Sequence, residues 1–344
     1  MKKSLKIGIV IVSYGHEDIL PDLIDRLSRQ LKPGDQIAVV DNHANGKGSD
    51  SVADNKYVSF AVKAQNKGFS SGCNIGADKL KKSVDVLFFL NPDTTPSQDT
   101  LDTIREANYI HYGAVMPLLT LPDGTVNSAG NIVHTSGLSW CDGYGNMTSK
   151  YSSVQDVSVL SGACAAISVE WWEKLGGMSE LYFMYYEDTD LSARIQLMGG
   201  KMGLLSSATI EHDYDYEKGN HKWLYLERNR PLYIIRTWPT SVIAVLFVQL
   251  IFIEIGLLGV ALIQGRIQSK LRAYAMTIKA LPVAMAERKT IQKQKQISGY
   301  DFLCSLTYKI DTPMLPSLAK NNFVDIIFKT YYRVSLWVLK TLSM

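Results

Sequence analysis

The chain has 344 residues, 46% of them hydrophobic and 20% charged, with 25 Gly and 11 Pro. This balance excludes a disordered polyelectrolyte, a collagen-like fibre and a small disulfide scaffold, and the length suits one large domain or two ordinary ones. The net charge of +3 is unevenly laid out: 23 Lys+Arg stand against 28 Asp+Glu up to residue 238, and 13 against 5 from residue 239 onward, so an acidic front is joined to a basic back.

The chain opens MKKSLKIGIVIVSYG, a short apolar run with no small-residue cleavage site, so no signal peptide is expected. Ile7–Val12 reads as a β-branched strand, and a helix with apolar positions Ile19, Leu20, Leu23, Ile24 and Leu27 follows. Ile37–Val40, Tyr57–Val62 and Val84–Leu90 read as further strands, with a helical stretch over Gly72–Leu80. Strands alternating with helices predict a parallel sheet with right-handed crossovers, whose ligands bind beyond the carboxyl ends of the strands. The first, second and fourth strands are each followed at once by polar residues: Ser13-Tyr14, Asp41-Asn42 and Asn91-Pro92-Asp93.

From Gly113 to His212 the pattern is mixed, with a Gly-rich stretch around Ser136–Gly145, a helix carrying Trp171, Trp172 and Leu175, and another carrying Leu191, Ile195 and Met198. Cys73, Cys141, Cys164 and Cys304 lie far apart with no metal-ligand spacing and read as free thiols of a reducing compartment. After Pro239 the text changes. Val242–Ile263 is 22 residues interrupted by Gln249 and Glu254, long enough to span a bilayer, but with a charge near its middle. The following Gly265–Ser298 holds eight Lys/Arg and one acid, Glu287. A single crossing would put that block on the far side from the front region, so helices lying in or dipping into the membrane surface, with anionic headgroups holding the basic block, are expected. A buried core helix is the alternative for 242–263. The last helix, Phe323–Leu342, is amphipathic and carries Lys329, Arg333 and Lys340. No base-stacking or groove-reading motif accompanies the basic charge, so nucleic acid is not an expected partner.

Several short stretches carry chemistry. Asp41, closing the strand IAVVDN, suits either a contact to a base or ribose or an Asx turn. Asn66-Lys67-Gly68-Phe69-Ser70-Ser71-Gly72 is a glycine-spaced loop opening a helix, a form that brings backbone N–H groups near an anion. In Asn91-Pro92-Asp93 the two polar side chains fall on one side of an extended segment that Pro92 stiffens; this suits a divalent cation that keeps water and binds phosphates, or an ordinary turn. Glu187-Asp188-Thr189-Asp190 follows the aromatic run LYFMYY, where a partly desolvated carboxylate can act as a general base or simply start a helix. His212 closes another strand and is a candidate metal ligand. Arg228 and Arg230 lie on an aromatic, helical stretch and suit a diphosphate.

Taken together and in order, IVIVSYG, VVDN, NKGFSSGCNIG, FFLNPDT, LSGACAAIS, WWEKLGGM, FMYYEDTDLSARIQLMGGK, IEHDY and LERNRPLYIIR resemble the family-2 glycosyltransferases with the GT-A fold, and in particular the bacterial rhamnosyltransferase branch that builds surface polysaccharides such as O-antigen. The resemblance covers roughly residues 5–238. It implies an α/β fold, a Rossmann-like mixed sheet flanked by helices, over residues 1–238 and a helical, basic, membrane-associated region over 239–344. By the same likeness Tyr14, Asp41, Asn66, Gly68 and Asn91 line the nucleotide-sugar site, Asp93 and His212 hold Mn2+ or Mg2+, Asp188 is the catalytic base, and Arg228 and Arg230 face the diphosphate or the acceptor. The implied reaction is an inverting transfer of a sugar, L-rhamnose from dTDP-L-rhamnose being favoured, onto a polyprenyl-diphosphate-linked saccharide at the cytoplasmic face of the plasma membrane. UDP-galactofuranose or a UDP-hexose as donor, assembly as a homo-oligomer, and a non-catalytic sugar-nucleotide-binding protein stay open. A nucleotidyltransferase is disfavoured because SYGHEDIL lacks a Gly-rich, basic signature after the first strand. Two departures from the family pattern stand out: the metal motif has Asn91 where Asp is commoner, and Gly15 stands where the opening motif usually ends in Asn.

Overall fold

The computed structural model describes residues 4–212, 219–312 and 321–342. The chain divides into two compact units. The first comprises Met1–Gly130, Cys141–Ile195 and Gly200–Tyr216, and the second Asn131–Trp140, Gln196–Gly199 and Glu217–Met344.

The first unit is built on a mixed sheet whose main path runs β10-β12-β6-β11-β4-β1-β2-β3. In the parallel half, β1 (Ile7–Ser13) lies between β2 (Gln36–Asp41) and β4 (Val86–Leu90), and β3 (Val58–Lys63) flanks β2. Every residue of β1 and of β4 is buried, which is why both read as unbroken apolar runs: helices cover the two faces of this half. The predicted helix after β1 is α1 (Leu20–Ser28), with Leu20, Leu23, Ile24 and Leu27 buried at helical spacing. A short α2 (Lys47–Asp50) follows β2.

The glycine-spaced stretch forms α3 (Phe69–Leu80). Two of its glycines serve packing: a Cβ on Gly72 would stand 2.6 Å from Val12, and one on Gly76 2.4 Å from Val10. The spacing thus lets α3 lie directly on β1.

Beyond β4 come β5 (Thr94–Pro96), α4 (Thr100–Glu106), β6 (Ala114–Thr120) and β7 (Val126–Ser128). After β8 (Asn131–Val133), β9 (Ser139–Cys141) and β10 (Gln155–Asp156), the chain enters β11 (Cys164–Ser168), which runs antiparallel between β4 and β6. Then follow α5 (Val169–Leu175), α6 (Glu187–Leu197) and β12 (Met202–His212), the last parallel to β6 and antiparallel to β5.

The second unit holds the β8–β9 hairpin and the helices α7 (Gly219–Thr237), α8 (Thr240–Ile263), α9 (Ile267–Gln294), α10 (Gly299–Cys304) and α11 (Asn322–Leu342). α8 is the apolar run read from sequence, yet only 17% of its most apolar window is buried, so it is not a core helix. Its charge near the middle is compensated. Glu254 pairs with Arg230 of α7 and with Lys270 of α9, the latter at 2.7 Å, while Lys270, itself fully buried, also pairs with Glu227. Gln249 donates to Thr135 at 2.6 Å. These polar residues, with Val242 and Leu246, face the interior, whereas Phe247, Val248, Ile251, Phe252, Ile255 and Leu262 are exposed.

Candidate active site

The parallel register aligns Ser13 with Asp41 and Ile11 with Leu90, so β1, β2 and β4 end at one edge of the sheet. Because β11 is antiparallel, its first residue Cys164 sits opposite Leu90, and the Gly162-Ala163 segment arrives at the same edge. There Asn91 donates its N–H to the Ala163 carbonyl at 2.9 Å, and Gly162 donates its N–H to Asp188 Oδ2 at 2.9 Å. Asp188 is therefore one peptide away from the segment that anchors Asn91-Pro92-Asp93. β12 brings in His212, in register with Thr94, and His212 Nε2 lies 3.4 Å from Asp93 Oδ1. The remainder of the IEHDY motif falls outside the described residues.

Asp188 sits in the first turn of α6. Its Oδ1 accepts hydrogen bonds from the Thr189 N–H at 2.6 Å and from the Thr189 hydroxyl at 3.1 Å. Burial pushes its carboxyl above the usual carboxylate range, and the Gly162 and Thr189 donors pull the other way. Glu187 beside it is pushed up to about 8, by burial first and by the charge of Asp188 second. Asp190 plays a different part: it is fully buried, takes Arg194 Nε at 2.7 Å and the Tyr182 hydroxyl at 3.1 Å, and so fixes α6 to the loop before it. In that loop Tyr185 and Tyr186 hold φ of 67° and 71°, a left-handed conformation uncommon for bulky residues.

A cavity of about 340 Å³ opens at the same edge beyond β2 and β3, lined by Tyr14, Asn42, Ala44, Lys63, Ala64, Gln65 and Asn66. Tyr14 is 57% exposed and packs edge-on against His43, presenting an aromatic surface. Asn66 Oδ1 accepts the Gly68 N–H at 3.0 Å, and the Gly68 carbonyl accepts Asn42 Nδ2 at 3.0 Å. Gly68 has φ +99°, and a Cβ there would stand 2.1 Å from the Phe183 carbonyl oxygen. That carbonyl accepts the Phe69 N–H at 2.8 Å, so the opening of α3 is held by the 183–186 loop. Asp41 is at the expected edge but fully buried; its Oδ1 accepts the His43 N–H at 2.9 Å and its Oδ2 the Ser49 N–H at 3.0 Å, which folds the loop after β2.

Residues 8–176 match the family model Glycosyl transferase family 2. Over that stretch the chain is similar to glycosyltransferase family 2. The chain is 26% identical over 202 residues to the low-salt glycan biosynthesis hexosyltransferase Agl10 of Haloferax volcanii, covering 55% of this chain and 61% of that protein. It is 26% identical over 243 residues to the N-acetylglucosaminyl-diphospho-decaprenol L-rhamnosyltransferase of Mycobacterium tuberculosis, covering 61% of this chain and 77% of that protein. The fold resembles that of GalNAc-T7, solved with UDP, GalNAc and Mn2+, with a TM-score of 0.57 at 15% identity over 71% of this chain and 51% of that one. The chain thus spans less than two thirds of the haloarchaeal relative and about half of the GalNAc-T7 chain.

Within the first unit the structure brings together Tyr14, Asn66, Gly68, Asn91, Asp93, Asp188 and His212 along one sheet edge, with Asp41 beneath the loop that borders the cavity. Arg228 and Arg230 belong to the second unit. There Arg230 is buried, donating to the Ser136 carbonyl at 3.0 Å and pairing with Glu254, and Arg228 donates to Asn229 Oδ1 at 2.7 Å. Sequence reasoning gave no role to Gly162, Thr189 or Lys63. Gly162 lies inside LSGACAAIS, but only the antiparallel course of β11 carries its amide to Asp188.

Proposed function

We propose that the protein is an inverting, metal-dependent glycosyltransferase. It moves a sugar, with L-rhamnose from dTDP-L-rhamnose favoured, onto a hydroxyl of a polyprenyl-diphosphate-linked saccharide at the cytoplasmic face of a bacterial plasma membrane. The observation that carries this reading is the convergence, at one sheet edge, of a half-buried carboxylate held by three donors, an Asp–His pair and a cavity faced by an exposed tyrosine. The lipid-linked acceptor named for the mycobacterial relative supports the acceptor class and the rhamnosyl choice.

In this reading the base of the nucleotide lies against Tyr14 in the cavity, with Asn66 in its wall held by the Gly68 N–H and Asp41 fixing the loop above. The residues present fit a divalent cation: Asp93 Oδ1 and His212 Nε2 face each other at 3.4 Å, one hard oxygen donor and one imidazole, with Asn91 nearby. Among the described residues no group of three or more His, Cys, Asp or Glu forms a complete cage, which suits an ion that takes its other ligands from diphosphate and water. When bound, such a cation neutralises charge growing on the leaving diphosphate. Asp188 takes the proton of the acceptor hydroxyl as its oxygen attacks the anomeric carbon from the face opposite the diphosphate, giving inversion in a single displacement. Burial raises its carboxyl above the usual carboxylate range, which strengthens it as a base. The exposed apolar faces of α8 and α11 and the basic residues of α9 hold the second unit on an anionic membrane surface.

A thermal-shift panel of nucleotide sugars, with and without Mn2+ or Mg2+, tests the whole reading. One donor should raise the melting temperature in the presence of metal. Asp93→Ala should lose the metal-dependent part of that shift. Asp188→Asn should keep the shift while transfer falls by roughly a thousandfold. A panel in which no nucleotide sugar stabilises the wild type would overturn the function, and retained transfer by Asp188→Asn would remove it as the base.

A further inference from the structure

The first turn of α6 carries two adjacent carboxylates in unlike surroundings, Glu187 buried and Asp188 half-buried. Asp188 has three hydrogen-bond donors, from the Gly162 amide, the Thr189 amide and the Thr189 hydroxyl. Glu187 is 7% exposed, and its Oε2 is buried with no hydrogen-bond partner. Among the described residues, the ionisable groups acting on Glu187 are Asp188 and Asp190 on its own helix and the thiol of Cys73 on α3. The cation of this cluster is committed elsewhere: Arg194 gives Nε to Asp190 and its other two nitrogens to the carbonyls of Leu175 and Gly177. A buried carboxylate facing two negative groups with one oxygen lacking a donor is costly, whereas a carboxylic acid at the same place costs less.

We propose that Glu187 is kept as a neutral carboxylic acid, so that the one proton held by this pair of carboxyls stays off Asp188 and leaves it ionised to receive the acceptor's proton. Glu187 is then a positioning residue that sets the charge state of its neighbour. The pair titrates as a unit, and the three donors on Asp188 decide which member ionises first. During transfer the acceptor O–H proton passes to Asp188, the acceptor oxygen bonds to the anomeric carbon, and the diphosphate leaves with the electron pair of the broken bond. The Glu187 proton takes no part. Losing it would place a second negative charge beside the base and close to the departing diphosphate. This inference rests on Asp188 being the base.

The test combines pH profiles of turnover with ligand-free melting curves. Glu187→Gln, which preserves shape and neutrality, should retain turnover to within about threefold at pH 7, whereas Glu187→Ala should lose about thirtyfold or more. Wild-type turnover should fall on the alkaline side as Glu187 ionises, and in Glu187→Gln that fall should move to higher pH. Without ligand, the wild-type melting temperature should decline between about pH 4.5 and 8 and the Glu187→Gln decline should be shallower, since a carboxyl whose folded pKa is raised to about 8 loses its stabilising proton across that window. Equal melting slopes, or a Glu187→Gln variant as inactive as Glu187→Ala while still binding donor, would overturn the proposal. Retained turnover in Asp188→Asn would instead remove the reading on which it rests.

Discussion

Two glycines at this sheet edge share a left-handed backbone and differ in what surrounds them. Gly15 has φ +74° with open space where a Cβ would stand, and Gly68 has φ +99° with the Phe183 carbonyl oxygen 2.1 Å from that point. Asn tolerates the left-handed region better than most residues, so the backbone at position 15 would accept an asparagine. Gly15→Asn should therefore change stability by less than about 1 kcal/mol. Gly68→Ala should cost about 3 kcal/mol or more, since it meets backbone and would pull the 183–186 loop off α3. Urea denaturation of the two variants checks the contrast. A comparable loss in both would assign the effect to φ alone. Asp41 teaches a similar lesson at this scale. The residue at the strand end was legible, but whether its carboxylate met a ligand or the loop amides of His43 and Ser49 depended on how residues 42–49 fold back.

Among the elements, α8, α9 and α11 share a pattern that soluble packing does not require. α8 is apolar on both faces, although one carries Gln249 and Glu254 inward and the other is exposed. α11 leaves Phe323, Ile326, Ile327, Val334 and Trp337 exposed at helical spacing, and α9 leaves Leu271 and Ile278 exposed one residue from Arg272 and Lys279. Helices of this kind lie in a lipid interface with apolar residues down and cations at the headgroups. Phe252, 69% exposed, and Trp337, 68% exposed, are the informative positions. Burying an aromatic side chain in lipid contributes roughly 1.5–3 kcal/mol, so Phe252→Glu and Trp337→Glu should each weaken sedimentation with anionic vesicles by about tenfold or more. Vesicles of neutral lipid should bind the wild type less well, and high salt should narrow the difference. Equal binding by wild type and both variants would exclude these faces as the contact.

For the molecule as a whole, the two units carry buried titrating groups of opposite sign. In the second unit His134 is fully buried, its Nδ1 accepting the Ser136 N–H at 3.1 Å and its Nε2 donating to the Tyr308 carbonyl at 2.9 Å. Burial lowers its pKa to about 4, against the pull of the Tyr308 carbonyl. A depressed histidine contributes stability that is present above its unfolded pKa and lost as pH falls through the folded value. Between about pH 6.5 and 4 this loss should reach about 3 kcal/mol. The urea midpoint of the second unit should drop over that range, and His134→Gln should flatten the drop. An unchanged slope would show that the imidazole is not the titrating group. The first unit, through Glu187, should instead lose stability as pH rises from about 4.5 to 8.

The sequence by itself determined the class of fold and the order of its parts. Continuous apolar runs such as IGIVIVS and VLFFL can only be strands covered on both faces, and the polar residues closing them marked the site edge because side chains just past a buried strand must meet solvent or ligand. The shift after Pro239 to a long apolar helix and a basic helix was equally local information. Tertiary structure alone decided the rest: that β11 runs against its neighbours and delivers the Gly162 amide to Asp188, that Gly72 and Gly76 serve contact with β1, that Glu254 finds Arg230 and Lys270, and that Glu187 and Asp188 part company in their hydrogen bonds. Each of these joins residues far apart in the chain or sets two neighbours in unlike surroundings. Composition and periodicity describe what one segment prefers, while these contacts depend on what other segments bring to it.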